Sequence, residues 1–138
     1  MTKRVSPISC KRVSKRLFLV EDDLFFSQRV RAAAARLGVP IEGLSPAAAR
    51  TRAWQPAEVV VLQATLRPDQ QLDLVGDLAG RQPAPVVVAV TGHLETALRQ
   101  RLKAAGAVLA AHSAMDRVLA RALRLSDRGA DAPPDRRA

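Results

Sequence analysis

Glu58-Val59-Val60-Val61-Leu62-Gln63 is the stretch from which the fold can be read. Four consecutive apolar residues, three of them β-branched, suit a strand buried on both faces, as in the middle of a parallel sheet. In open α/β sheets the chemistry lies just past the carboxyl ends of such strands. Here that end is Gln63, an amide rather than an acid.

Outward from this strand, apolar runs alternate with helical patterns. Leu17-Phe18-Leu19-Val20 is a second buried run and stops at Glu21-Asp22-Asp23. Phe26, Val30, Ala33, Ala34 and Leu37 then fall on one helical face, with Gly38 placed to end the helix. Val39-Pro40-Ile41 opens a short strand. Ser45-Pro46 reads as an N-cap followed by proline at the first helical position, opening a helix to about Ala53, with Trp54 packed at its end.

Past the central strand, Leu66-Arg67-Pro68 reads as a loop, and Leu72, Val75, Leu78 and Ala79 mark a helix ended near Gly80. Val86 to Val90 is a strong strand closed by Thr91-Gly92. Leu94, Ala97, Leu98, Leu102 and Ala105 predict a further helical face, Ala107 to Ala111 a fifth strand, and Met115, Val118, Leu119, Ala122 and Leu123 the last helix. Five βα units imply a parallel sheet with helices on both faces, a three-layer α/β/α domain.

The chain of 138 residues is 48% apolar, enough for one core and one domain. Residues 1–16 carry six Lys and Arg and no acid, so most of the net charge of +9 sits on a leader and only +3 falls on 17–125. The leader reads as a disordered basic arm, either a hook for nucleic acid or another anionic surface, or a solvated tail. Residues 17–125 form the folded domain, and 126–138 read as a disordered tail. The lone cysteine, Cys10, forms no internal disulfide, and no apolar run is long enough to span a bilayer, so a cytoplasmic site without membrane partners is expected.

Four ordered features resemble the receiver domain of bacterial two-component response regulators. They are Leu17 to Asp23, Glu58 to Leu66 with Arg67-Pro68, Val88-Ala89-Val90-Thr91-Gly92, and Gly106-Ala107. The resemblance implies the flavodoxin- or CheY-like strand order 2-1-3-4-5 and a Mg²⁺-dependent aspartyl-phosphate at the carboxyl edge. On that pattern Glu21 and Asp22 are the metal-binding acids and Thr91 is the phosphoryl-binding hydroxyl. The acceptor position holds Gln63. The lysine position holds Ser113, or His112 if the alignment shifts by one, the proline after it is Ala114, and the aromatic position is Ala110.

An amide oxygen is a poor nucleophile and forms no ordinary acyl phosphate. Without that carboxylate a hard cation loses a charged ligand, so Mg²⁺ is expected to bind weakly if at all, and no other cofactor is expected. Ser113 cannot neutralise a phosphoryl group as an ammonium does. Gln63 is expected to hydrogen-bond Thr91 or an acid. His93 and His112 lack metal-ligand spacing, and no Gly-rich phosphate loop, nucleophile elbow or zinc pattern supports an enzyme.

Two readings of function stand: a phosphorylation-independent receiver-like interaction module, or a small regulator holding nucleic acid through its arm. For the first, Arg99, Arg101, Lys103, Arg117, Arg121 and Arg124 are expected to form an exposed cationic surface for a signalling protein or a second copy of the chain.

Overall fold

The computed structural model describes residues 16–131, with side chains through Arg124. The basic arm and Cys10, up to residue 15, and the segment 132–138 lie outside the described residues. Five strands, β1 (Leu17–Val20), β2 (Ile41–Leu44), β3 (Val59–Gln63), β4 (Val86–Thr91) and β5 (Val108–Ala111), form one parallel sheet of order β2-β1-β3-β4-β5. Helices α1 (Leu24–Leu37), α2 (Pro46–Thr51), α3 (Pro68–Ala79), α4 (Thr96–Ala104) and α5 (Met115–Asp131) connect and cover them, with a 3₁₀ turn over His112–Ala114 before α5.

The period of two along each strand divides the core into two layers. Leu17, Leu19, Val59, Val61, Val88 and Val90 face α1 and α5, where Phe26, Val30, Met115 and Leu119 meet them. Phe18, Val20, Val60, Leu62, Val87 and Ala89 face α2, α3 and α4, packing against Ala49, Leu74, Val75, Leu78 and Leu102. Every residue of β1 and β3 is buried, as expected for strands paired on both sides.

Local signals set the helix ends. The Asp23 carboxylate accepts from the Phe26 N–H and caps α1, while Gly38, at φ 72°, closes it in the left-handed region. The Ser45 hydroxyl accepts from the Ala48 N–H ahead of Pro46. The Trp54 indole N–H donates to the Ala49 carbonyl, and its ring meets Phe18 edge to face at 5.2 Å. Arg52 lies 4.2 Å over the Phe18 ring and donates to Glu58 at 2.5 Å, which holds the start of β3 against the end of α2.

Several boundaries differ from the sequence reading, among them the start of β2 at Ile41 rather than Val39 and the end of α2 at Thr51 rather than near Ala53. Arg16 belongs to the domain rather than to the arm, since its guanidinium donates to the carbonyls of Ala57 and Leu123 and its own carbonyl accepts from the Val59 N–H. Helix α5 continues to Asp131, past the expected end at residue 125. Helix α4 starts only at Thr96, because Gly92 to Glu95 first close a turn. In that turn the Glu95 N–H donates to the Gly92 carbonyl, and the Gly92 N–H donates to the Glu95 carboxylate. Leu94, expected on the packed helical face, is thereby turned outward and is 81% exposed, and Ala97 is exposed as well.

Candidate functional site: the carboxyl edge of the sheet

Because all five strands run parallel, every strand-to-helix connection emerges at one edge. The loops after β1, β3 and β4 are neighbours there, since these strands are adjacent. They bring together Glu21 and Asp22, Gln63, and Thr91, with Ser113 at the flank in the turn after β5.

Gln63 ends β3 with 7% of its surface exposed, and its side-chain Nε2 has no hydrogen-bond partner among the described residues. The expected bond to Thr91 or an acid is therefore not made through the amide N–H₂. Thr91 is fully buried, and its hydroxyl oxygen instead accepts from Arg99 at 2.9 Å. Arg99 had been expected to stand exposed on a cationic surface. It lies on the first turns of α4, within reach of the strand it follows, and is half-buried against Thr91. The other five members, Arg101, Lys103, Arg117, Arg121 and Arg124, are exposed.

The acids after β1 are each engaged. The Asp22 side chain is only 3% exposed, and one of its oxygens accepts from Arg67, in the loop after β3, while the other has no partner among the described residues. Glu21 lies outside and pairs with Arg31 of α1 at 2.6 Å, lying across Gly43 of β2, where a Cβ would stand 2.3 Å from the Glu21 carboxylate. Asp23 is committed to capping α1. Glu95 ties the remaining two loops, accepting from the Thr65 hydroxyl at 3.2 Å as well as from the Gly92 N–H.

Ser113 is exposed and carries no charge to offer an anion at this edge. His112 beside it is partly buried. Burial first, and the Arg29 charge second, lower its pKa below the ordinary imidazole value, opposed by Glu95. Ala110, at the aromatic position, is buried in the α1/α5 layer. Exposed Leu24, Phe25, Leu66 and Leu94 stand in or just past the three adjacent loops.

The Mg²⁺ ion that the receiver resemblance implies can be tested against these side chains, and they do not fit it. A hard divalent ion takes several oxygen ligands with charge among them. Here the two acids already hold guanidinium groups, the third position is an amide, and among the described residues no group of three or more His, Cys, Asp or Glu is placed to hold a metal.

Sequence reasoning missed Arg67 and Arg99. Arg67 had been read only as part of a loop, and Arg99 as surface charge. The available signal was a cation shortly after each of two strands whose ends carry polar groups.

No protein-family model matches the chain, and no curated protein matches it. Solved structures do. A response regulator from Colwellia psychrerythraea superposes with a TM-score of 0.62 at 16% identity, covering 83% of this chain and 98% of that one. A response regulator receiver protein from Burkholderia phymatum gives 0.61 at 20% identity over 80% of this chain and 96% of its own. NtrX from Brucella abortus, solved in complex with ADP, gives 0.66 at 20% identity over 83% of this chain but only 28% of its own. At such identities the likeness is one of fold, and the fold of this chain is that of response-regulator receiver domains, a five-stranded parallel sheet of order 2-1-3-4-5 flanked by helices.

Proposed function

We propose that this chain is a receiver-like signalling protein that acts without phosphorylation, as a protein-interaction module. The observation that carries the reading is Gln63 at the end of the central strand, where the resemblance calls for a nucleophilic carboxylate. An amide oxygen attacks a phosphoryl donor poorly, and the product would lack the stability of an acyl phosphate. The surroundings agree with this reading. Thr91 is held by Arg99, Asp22 by Arg67, and Ser113 stands where an ammonium would be needed.

The role left to such a module is binding. Arg101 and Lys103 on α4, with Arg117, Arg121 and Arg124 on α5, present exposed cations on the two helices that flank β5. Asp116, one of the two acids between Leu94 and Arg124, is paired with Arg36 at 2.6 Å and offsets these cations little. A surface of one sign steers a partner of the opposite sign and raises its on-rate at low salt. The partner proposed is therefore an acidic protein.

Amide spectra recorded with and without Mg²⁺ and beryllofluoride, a phosphoryl mimic that needs an acceptor carboxylate, test the phosphorylation-independent reading. Unchanged resonances for Gln63, Thr91 and Ser113 are expected. Saturable shifts centred on the edge would overturn it.

A further inference from the structure

We infer that Arg67 is the resident cation of the carboxyl edge: its guanidinium takes the place at Asp22 that a divalent ion would need, and closes the edge to metal. The inference deepens the proposed function.

Asp22 is placed far more deeply than Glu21, whose side chain is 47% exposed. The Asp22 side chain is 3% exposed, and a buried carboxylate needs a compensating charge. Arg67 supplies that charge from the loop after β3, while 56% of its own side chain stays exposed. The contact also fastens the loop after β3 to the loop after β1.

The placement of charge favours closure. Glu21, Asp22 and Asp23 bring three negative charges, Arg31 and Arg67 return two positive ones, and the third carboxylate, Asp23, is committed to capping α1. A divalent ion approaching this group meets two fixed guanidinium charges, and at Asp22 it gains only one free oxygen unless it displaces Arg67.

Access leads to the same result. Asp22 lines two clefts. One, toward α2 and α3, is lined also by Arg67 and Arg50. The other, toward α1, is lined also by Glu21 and Arg31. An arginine stands in each approach, beside Asp73 in the first and Asp23 in the second. Asp22 keeps one oxygen without a partner among the described residues, so a carboxylate lone pair is present and the obstacle is the neighbouring positive charge.

Mn²⁺ serves as the probe, followed by water-proton relaxation and by titration calorimetry on the whole chain. Five proteins are compared: wild type, Arg67→Met, Arg67→Lys, Gln63→Asp, and Gln63→Asp combined with Arg67→Met. Methionine keeps an apolar stem of similar length and removes only the charged head. Arg67→Gln replaces it if the methionine variant lacks a cooperative melt.

The expected result is a gain in Mn²⁺ affinity of tenfold or more on removing the Arg67 charge, in the wild-type background, the Gln63→Asp background or both. Arg67→Lys, which keeps a cation, stays as weak as wild type. A gain below tenfold in both backgrounds overturns the inference and assigns metal exclusion to Gln63 and the shape of the edge. Tight Mn²⁺ binding by the wild type overturns it as well. Phosphoryl uptake by the wild type would sink the proposed function by a separate readout, so the two failures are distinguishable.

Discussion

Replacing Gln63 by methionine should stabilise this protein, although most substitutions of a buried polar residue at the end of a central strand do the reverse. Gln63 is 7% exposed, and its Nε2 finds no acceptor among the described residues. A buried donor left unpaired costs about 1–3 kcal/mol. Methionine matches glutamine in length and branching, so the space is refilled without overpacking. Exchanging the amide head for a thioether and methyl adds apolar burial of about 1 kcal/mol. Any hydrogen bond held by the amide oxygen is lost, at about 1 kcal/mol. The balance is a gain of about 1–3 kcal/mol, or roughly 4–12 °C in the melting midpoint for a domain of this size. Urea melts of wild type, Gln63→Met and Gln63→Ala decide the matter, with the alanine variant expected to fall below the methionine variant because it leaves a cavity. A Gln63→Met protein less stable than wild type by 1 kcal/mol or more would show that the amide N–H₂ has a structural partner, and the description of Gln63 as an unpaired replacement would be refuted.

Three further outcomes follow from the packing. Arg52→Met should cost about 2 kcal/mol, below the full value for breaking a buried pair because Arg52 is 31% exposed, and Glu58→Gln added to it should recover part of the loss in a double-mutant cycle by urea melts. Gly106→Ala should cost about 3 kcal/mol by the same melts, because Gly106 sits at φ 111° and a Cβ there would stand 2.6 Å from the Ala79 methyl. The folded surroundings, burial first, lower the His112 pKa, so the unfolded chain takes up the proton first as pH falls. The stability it contributes is present above its ordinary value of 6.5 and is lost as pH drops from there through the lower folded value. His112→Gln should flatten that part of the stability–pH curve.

The strands were readable because their burial on both faces is written into unbroken β-branched runs, as in Val59 to Leu62 and Val86 to Val90. Caps at Gly38 and Ser45 were equally local signals, each resting on a side chain or backbone angle within a few residues, whereas the Asp23 cap was local too but is not among the caps that the sequence reading names. Leu94 misled because its spacing fits the helical face of Leu98 and Leu102, while a turn closed by the Glu95 carboxylate holds the helix back to Thr96. Arg16 was grouped with the leader by charge alone, yet its partners lie 41 and 107 residues away.

At the edge, the identity of each polar group was legible and its pairing was not. Glu21, Asp22, Gln63 and Thr91 all arrive where strand ends place them, but Arg67 and Arg99 choose their partners through loop geometry. Arginine reaches far enough to bridge neighbouring loops, and sequence spacing carries no record of which acid or hydroxyl it meets. Arg67 contacts an acid 45 residues earlier in the chain. The exposed set Leu24, Phe25, Leu66 and Leu94 was likewise invisible until the three loops were placed side by side.

The central claim is that this edge accepts no phosphoryl group. The most direct measurement is the intact mass of the wild-type chain after incubation with acetyl phosphate and Mg²⁺, followed by borohydride trapping of any acyl phosphate. The account predicts an unchanged mass and no trapped product at Asp22, Asp23 or Gln63. A stoichiometric gain of one phosphoryl group, mapped to Asp22 or Asp23, would contradict it.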